Sequence, residues 1–324
     1  MDSLSLILDD MHFDGVVFTH TEMSAPWAWQ LSTPGLACFH VVTGGQAWLM
    51  REHEAPTLIE AGDLVILPAG NPHTIQDKPQ SPAQPVDLLP YMDQSELSPV
   101  QQQGGGAACK LISGHARFDV DMAAPLITAL PPLMHVQSGC AMPPLWLAIG
   151  IQFLEQEIAA VRPAQQAILN RVGDILLMEC LRDYVESVPE GSGNWLAALK
   201  DKALSMALAR MHQQPGHNWT VPELARHACL SRSAFADRFG QALGEPPLTY
   251  LTRHRMRLAA RQLRNTALTV SKIAEQVGYA SEAAFSQAFK REYGEAPSIW
   301  RQTNQLSGAP RQSRPEGPQP CAWA

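Results

Sequence analysis

From Glu223 to Phe239 the sequence reads ELARHACLSRSAFADRF, and from Lys272 to Phe289 it reads KIAEQVGYASEAAFSQAF. The two stretches share one pattern of apolar and small residues, offset by 49 positions at its start and by 50 at its end. The extra residue of the second stretch is Ala280, in the turn. Each stretch predicts a short helix, a turn and a second helix that begins at a serine. This arrangement is a helix–turn–helix unit, whose second helix can enter the major groove of DNA.

The second helix of each unit has an apolar stripe, carried in each copy by two phenylalanines four residues apart. Because such a stripe faces a core, the opposite face is the candidate for reading base edges. The candidate base-reading residues are Arg232, Ser233, Ala236 and Asp237 in the first copy and Glu282, Ala283, Ser286 and Gln287 in the second. Lys290, Arg291, Arg253 and Arg255 are candidate phosphate contacts, although exposed cations are as often only solvated charges.

The charges are divided unevenly along the chain. Residues 1–194 carry 7 Lys and Arg against 22 Asp and Glu, a net charge of −15. Residues 195–324 carry 17 against 9, a net charge of +8. A basic segment favours a polyanionic partner because each phosphate contact needs a cation. Charge alone would equally suit two solvated surfaces, and only its combination with the tandem repeat points to double-stranded DNA.

The first half of the chain predicts a β-rich domain. From Gly15, short runs rich in Val, Trp, Phe and Thr alternate with turn residues about every 8–12 positions, which is typical of a small antiparallel barrel or sandwich. Beyond Pro144 the pattern becomes helical, with a pair of helices over residues 146–160 and 164–185 and another helix over residues 195–211.

One segment of this β-rich half carries a known motif. GDLVILPAGNPH, residues 62–73, fits the second motif of cupin barrels, in which a strand and a Pro/Gly turn aim a histidine, here His73, into the barrel mouth. The usual first motif, His-x-His followed by Glu, is missing, and His40 lies alone in its strand.

The predicted fold class is therefore a multidomain α+β protein. Residues 1–187 are predicted to form a cupin-like β-barrel with a helical pair. VPEGSGN, residues 188–194, is the predicted linker. Residues 195–306 are predicted to be all-α with two helix–turn–helix units, followed by a disordered tail over residues 307–324.

The barrel offers one set of candidate effector-pocket residues: His40, Trp48, His73, Cys109 and His115. Three chemistries are open for them. The pocket could take a small organic molecule. His40, His73 and Cys109 could instead bind zinc or copper, or Cys38 or Cys109 could act as a redox switch. A fourth possibility is that the histidines are simply hydrogen-bonded inside the barrel.

The helix over Ala164–Val185 is apolar nearly all round, which favours packing against its own barrel and against a second subunit. The expectation is a homodimer through this helix, although a core helix in a monomer would show the same pattern. No apolar run approaches the roughly 18 residues of a membrane span. The acidic N-terminus does not resemble a secretory signal, which predicts a cytoplasmic location without membrane association.

Residues 195–306 resemble the DNA-binding domain of the AraC/XylS family of bacterial transcription regulators, and residues 5–186 resemble the cupin-type N-terminal domain of one subgroup. The resemblance is strongest in the second copy, at Gly278, Tyr279, Phe285, Phe289, Gly294 and Pro297. It implies a regulator in which residues 1–187 sense an effector and dimerise, while residues 195–306 bind a promoter half-site. The further expectation is an activator that works with RNA polymerase.

Three residues depart from the family pattern. Asp237 takes a position that is often basic or polar in the family, Cys229 replaces the usual turn glycine, and Trp300 replaces a tyrosine. Because of Asp237, the second copy is predicted to contribute more to sequence choice than the first. Two other functions stay open, namely a metal-dependent cupin enzyme fused to a DNA-binding domain and a DNA-binding protein that answers to no effector. The missing His-x-His-Glu set argues against the enzyme.

Overall fold

The computed structural model describes residues 3–11, 16–92, 100–139, 144–160, 162–189 and 195–306. Contacts divide the chain into two compact regions. The first compact region is drawn from residues 1–213 and 219–248, and the second from residues 214–218 and the chain from residue 249 onward. Among the described residues, no helix combines the length and the apolar character needed to cross a membrane.

The β-rich part of the first compact region has two sheets. The strands are β1 (Val16–Ser24), β2 (Ala28–Leu31), β3 (Ala37–Gly44), β4 (Gln46–Met50), β5 (Thr57–Glu60), β6 (Leu64–Leu67), β7 (His73–Gln76), β8 (Val86–Asp87), β9 (Val100–Gln103), β10 (Ala108–Ala116) and β11 (Met134–Val136). The six-stranded sheet has the order β11-β6-β3-β10-β1-β9, and the five-stranded sheet has the order β5-β4-β7-β2-β8. Neighbours are antiparallel except at β1–β9 and β2–β8.

An apolar core lies between these sheets. Leu49 of β4 and Ile75 of β7 belong to one buried cluster with Val42 of β3 and Leu111 of β10. Trp48, next to Leu49 in the chain, is only half-buried, as expected on a strand with one face on the core. The predicted cupin-like fold is confirmed. The hydrogen bonds of the described strands join them into two sheets and not into one closed barrel.

Five helices accompany the sheets: α1 (Ser3–Met11), α2 (Leu89–Met92), α3 (Val120–Ala129), α4 (Leu145–Ala159) and α5 (Gln165–Ser187). The last two form the predicted helical pair, and α5 also packs on β1. Gly173 permits this close approach, because a Cβ there would stand only 2.9 Å from Val16 Cγ2 and 3.0 Å from Phe18 Cζ.

The remaining helices are α6 (Trp195–Lys200), α7 (Lys202–Gln213), α8 (Val221–His227), α9 (Arg232–Leu243), α10 (Pro247–Asn265), α11 (Val270–Gln276), α12 (Glu282–Tyr293) and α13 (Pro297–Leu306). The prediction of one helix over residues 195–211 is wrong. Asp201 interrupts it, because its Oδ1 accepts hydrogen bonds from the N–H groups of Ala203 and Leu204 and so caps α7 as a new helix.

The first compact region extends across the predicted linker, since α6 packs on α3 and α5 while α1 packs on α7. Residues 190–194 of that linker lie outside the described residues, and so does the predicted tail over residues 307–324. The domain boundaries stay a prediction.

Candidate DNA-binding surface and histidine–cysteine cluster

The first helix–turn–helix unit consists of α8, a turn and α9. Both helices begin at a side-chain cap: Thr220 Oγ1 and Ser231 Oγ each accept from the backbone N–H three residues later, at 3.3 and 3.2 Å. In the turn, Cys229 has a φ of 55°, in the left-handed region that favours glycine.

The second unit repeats this construction with α11, a turn and α12. Thr269 Oγ1 and Ser281 Oγ cap the two helices, each at 3.2 Å from the N–H three residues later. The turn residue is Gly278, with a φ of 85°. A Cβ there would stand 2.5 Å from the carbonyl oxygen of Gly216, so this turn requires glycine sterically as well as conformationally.

The predicted base-reading residues lie opposite the buried phenylalanines of each unit. On α9 the side chains of Phe235 and Phe239 are fully buried, and on α12 those of Phe285 and Phe289 are. The exposed candidates are Arg232, Ser233, Asp237, Glu282, Ala283, Gln287 and Lys290, and the half-buried ones are Ala236 and Ser286. The structure thus brings each predicted set to one accessible helix face. Base contacts by these residues stay predictions.

Arg255 has a structural role that the sequence did not reveal. Its guanidinium donates to the carbonyl oxygens of Pro215 and His217, at 2.6 and 2.8 Å. Burial lowers the pKa of Arg255, with Tyr279 opposing that shift. These bonds tie residues 214–218 to α10. Arg255 is therefore better described as a support of the second compact region than as a phosphate contact.

Inside the cupin-like half, three buried side chains converge. Cys38 Sγ, His40 Nε2 and His73 Nε2 all lie within 4.8 Å of one another, and we call them the Cys38–His40–His73 cluster. The two histidine Nε2 atoms are 2.8 Å apart, and Cys38 Sγ is 3.7 Å from His40 Nε2. On their far sides, His40 Nδ1 lies 2.7 Å from Ser113 Oγ and His73 Nδ1 lies 2.7 Å from the carbonyl oxygen of Asn71.

The backbone explains why these side chains meet. Cys38 and His40 are two residues apart on β3 and therefore point to one face of the sheet. The antiparallel ladder places Ser113 of β10 directly opposite His40. His73 begins β7 immediately after a Pro/Gly turn in which Gly70 has a φ of 65°. The turn therefore aims His73 inward, as the motif predicts.

The hydrogen-bond partners assign the imidazole tautomers. A carbonyl oxygen can only accept, so His73 Nδ1 carries the proton and neutral His73 accepts at Nε2. His40 then donates from Nε2 to His73, and its Nδ1 accepts from the Ser113 hydroxyl. Burial lowers the pKa of His73 and, together with the neighbouring His73, lowers the pKa of His40 well below its usual value. Both shifts favour the neutral imidazoles that this hydrogen-bond arrangement requires.

The predicted ligand Cys109 is replaced in the cluster by Cys38. Cys109 pairs with Met23 near the start of β10, four residues before Ser113, which is about 13 Å along a strand. Burial raises the pKa of the Cys109 thiol to about 12 and that of Cys38 still further, which favours the protonated thiol at both positions. The i, i+2 spacing of Cys38 and His40 is the local sequence signal that places Cys38 on the same strand face as His40.

Two other predicted pocket residues lie outside the cluster. His115 is buried opposite Cys38 in the β3–β10 ladder, but it is not one of the three residues whose ligand atoms converge. Trp48 faces away from the core residues Ala47 and Leu49 of its strand, so it does not line the same interior.

His73 also borders an open cleft of about 530 Å³. The cleft is lined by Gln30, Leu31, Ser32, Met50, Arg51, Glu52, Pro72, His73, Thr74, Asp87 and Leu89. Its size suits a small molecule, and its rim carries charges of both signs. A compound in the cleft would therefore lie next to one member of the Cys38–His40–His73 cluster.

Comparisons with known proteins agree with both halves of this description. Residues 2–186 match the family model described as Cupin, and residues 224–303 match the one described as Helix-turn-helix domain. The chain is 32% identical over 309 residues to the HTH-type transcriptional regulator AlkR of Acinetobacter baylyi. The alignment covers 93% of this chain and 99% of AlkR.

Two further relatives also align with this chain over most of their length. A putative AraC-like transcription regulator of Streptomyces lividans is 34% identical over 278 residues, covering 85% of this chain and 90% of the relative. The RCS-specific HTH-type transcriptional activator RclR of Escherichia coli is 30% identical over 305 residues, covering 93% of this chain and 98% of RclR. The chain therefore belongs to the AraC-like family of helix–turn–helix transcription regulators with an N-terminal cupin domain, and it is a DNA-binding regulator of transcription.

Proposed function

We propose that this protein is an effector-responsive transcription activator that binds promoter DNA as a homodimer. The observation that carries the DNA-binding part is the pair of exposed helix faces on α9 and α12, each on a capped helix anchored by two buried phenylalanines. Their segment, residues 195–324, has a net charge of +8, with 17 Lys and Arg against 9 Asp and Glu.

The two helices offer different chemistry to DNA. Gln287 of α12 presents an amide, which can pair with an adenine edge, and Glu282 can accept from a cytosine amine. The residue of α9 that corresponds to Gln287 is Asp237, whose carboxylate carries the same sign of charge as the phosphates. We therefore propose that α12 supplies the larger share of base discrimination and that Lys290 contacts the phosphate backbone.

Selection of duplexes from a random library by the full chain tests the DNA-binding proposal. We expect one enriched motif, bound by roughly 10³-fold or more over unrelated DNA at physiological salt. Fluorescence anisotropy on that motif should show a loss of preference in the double variant Glu282→Ala, Gln287→Ala. Binding that is equally tight on all sequences would contradict the proposal.

The homodimer is proposed from an apolar surface on α4 and α5. Leu145, Ile149 and Phe153 follow one another at every fourth residue of α4 and are 74%, 56% and 45% exposed. Ile168 and Ile175 of α5 are exposed as well. A second copy related by a two-fold axis would cover both stripes with the same surface. The α4 helix thereby adds to the predicted contact through residues 164–185.

Sedimentation equilibrium measures this assembly directly. The double variant Ile149→Asp, Phe153→Asp is expected to be a monomer at concentrations at which the unmodified chain is a dimer. Ile299→Asp is the matched control, because Ile299 is a comparably exposed isoleucine on α13. A dimer that persists in the double variant would show that another surface carries the assembly.

We propose that the effector signal reaches the DNA-binding helices through α1. His212 Nδ1 of α7 lies 2.7 Å from Asp10 Oδ2 of α1, and Ser205 Oγ lies 2.7 Å from Ser3 Oγ. Asp10→Asn should reduce the difference in operator affinity between effector-bound and effector-free protein. Asp9→Asn, at an exposed neighbouring position, should leave it unchanged.

We also propose that the cupin half senses its ligand without converting it. The cupin half lacks the His-x-His-Glu set of the first cupin motif, and His40 lies alone in its strand. Mass spectrometry of a cleft-binding compound after incubation with the protein should recover it unchanged. Recovery of a product would favour the alternative of a metal-dependent enzyme.

A further inference from the structure

We infer that Cys38 Sγ, His40 Nε2 and His73 Nε2 together bind one closed-shell d¹⁰ cation, Zn²⁺ or Cu⁺, and that this ion is part of the effector response. The regulatory clause rests on the proposed function, whereas the binding site itself rests only on the geometry of the cluster. The three donor atoms lie within 4.8 Å of one another, and their residues are all buried.

The donor set selects the class of ion. Thiolate and imidazole are soft or borderline ligands that favour zinc and cuprous copper, while magnesium and calcium require oxygen ligands. Three protein ligands complete a trigonal Cu⁺ site, or leave one open position on a tetrahedral Zn²⁺.

The hydrogen bonds behind the ligands fit this assignment. His73 donates from Nδ1 to the Asn71 carbonyl oxygen, which leaves Nε2 free to ligate. Ser113 Oγ lies 2.7 Å from His40 Nδ1 and can accept a proton from it as readily as it can donate one. Each imidazole therefore has an outer partner that orients it toward the shared centre.

Ion binding competes with the hydrogen bond between the two histidines. The Nε2 atoms, 2.8 Å apart, must separate to roughly 3.3 Å to be tetrahedral ligands at about 2.0–2.1 Å from zinc. The Cys38–His40 distance of 3.7 Å already fits a shared ion. The ring proton of His40 moves from Nε2 to Nδ1, the Cys38 thiol releases its proton to solvent, and no electron is transferred.

The position of the site connects it to the rest of the sensor. Cys38 and His40 belong to the six-stranded sheet, whereas His73 begins a strand of the five-stranded sheet. A bound ion would therefore cross-link the two sheets. Because His73 also borders the cleft, the ion fixes the one cluster side chain that a cleft-bound compound touches.

Cobalt substitution tests the site in the full-length, reduced and chelator-treated protein. One equivalent of Co²⁺ should produce a sulfur-to-cobalt charge-transfer band in the unmodified chain. Cys109→Ser, a buried cysteine in the same half, should retain the band, and Cys38→Ser should lose it. Competition with a chromophoric chelator, using Zn²⁺ in air and Cu⁺ without oxygen, then shows which ion binds more tightly.

We expect Cys38→Ser and His73→Gln to weaken the preferred ion more than 100-fold, beyond the roughly 10–100-fold typical of losing an outer partner. The His73→Gln variant maintains the test if Cys38→Ser does not fold, as judged by thermal melting. Failure of the unmodified chain to bind one equivalent of either ion overturns the inference. So does equal loss of binding in Cys109→Ser and Cys38→Ser.

Operator binding by the ion-free and ion-loaded forms separates this inference from the proposed function. If the operator is recognised but no ion binds, only the metal site is refuted. If an ion binds but no operator is selected, the proposed function fails and the site stands. An operator affinity that changes with the ion in the unmodified chain, and not in Cys38→Ser, supports the regulatory role.

Discussion

The two helix–turn–helix units are built from the same buried residues and differ on their exposed faces. Each second helix buries two phenylalanines completely, and each of the four helices begins at a serine or threonine cap. The exposed positions differ in charge, with Arg232 and Asp237 on α9 where α12 has Glu282 and Gln287. Packing therefore constrains one half of the repeated pattern, while the other half is free to acquire a separate role in each copy.

The turns show a second difference. Gly278 faces the carbonyl oxygen of Gly216, whereas the corresponding residue of the first unit, Cys229, is exposed and tolerates a side chain at the same type of φ. Equivalent positions in a repeat thus carry different steric constraints, according to what each unit packs against.

The largest losses of stability are expected from substitutions of the buried phenylalanines, which each helix–turn–helix unit has in its own core. Phe289 contacts Phe285, Tyr293 and Trp300, with ring centroids 5.7, 4.6 and 5.8 Å away. Phe289→Ala should cost about 3–5 kcal/mol of unfolding free energy, and Phe239→Ala should cost a similar amount in the first unit. Urea denaturation measures the free energies, and amide hydrogen exchange shows which helices lose protection. Unchanged protection of α12 in Phe289→Ala would mean that the two cores are not equivalent.

The turn substitutions come next and should separate the two units. Gly278→Ala combines the left-handed penalty of an L-residue, about 1–2 kcal/mol, with a clash against a backbone oxygen, for a total of about 3 kcal/mol. Cys229→Ala should change stability by less than about 0.5 kcal/mol, because a side chain is already accommodated there. Equal losses in the two variants would show that both turns are equally constrained.

The repeat is the part of this structure that sequence predicts best. Phenylalanine spacing, serine caps and the turn position are local signals, and each follows from the period of a helix and the unpaired N–H groups at its start. The sequence does not reveal the break at Asp201, because the run of helix-forming residues continues past it. The capping role of its carboxylate competes with helix continuation only in the folded backbone.

The buried cluster was predictable only in part. Cupin spacing predicts His73, and the i, i+2 spacing on β3 places Cys38 on the strand face of His40, but excluding Cys109 requires the register of β10 against its neighbours. The register of β10, which puts Ser113 opposite His40 of β3 and Cys109 opposite Met23 of β1, depends on pairing between distant segments. The pairing of sheets that brings β7 to β3 is likewise a property of the whole core, which no local pattern encodes.

The reading faces are compared by one pair of substitutions. Gln287→Ala should reduce discrimination at a single operator position by about 1–3 kcal/mol, the usual contribution of a bidentate amide–adenine contact. Asp237→Ala, at the corresponding position of α9, should leave base preference unchanged and slightly strengthen binding to all sequences, because a carboxylate is removed from a phosphate-rich surface. Anisotropy titrations against single-base operator variants provide the measurement. Loss of preference in Asp237→Ala with none in Gln287→Ala would reverse the assigned order of the two units.

The smallest expected effect is a gain. Cys229 holds a φ of 55°, which costs an L-residue about 1–2 kcal/mol that glycine does not incur. Glycine loses more backbone entropy on folding, by roughly 0.5–1 kcal/mol, which offsets part of this relief. Cys229→Gly should therefore stabilise the chain by about 0.5–1 kcal/mol in urea denaturation under reducing conditions, with operator preference unchanged. A loss of stability would mean that the thiol makes a contribution which its exposed position does not suggest, and that the first turn differs from the second by more than its steric freedom.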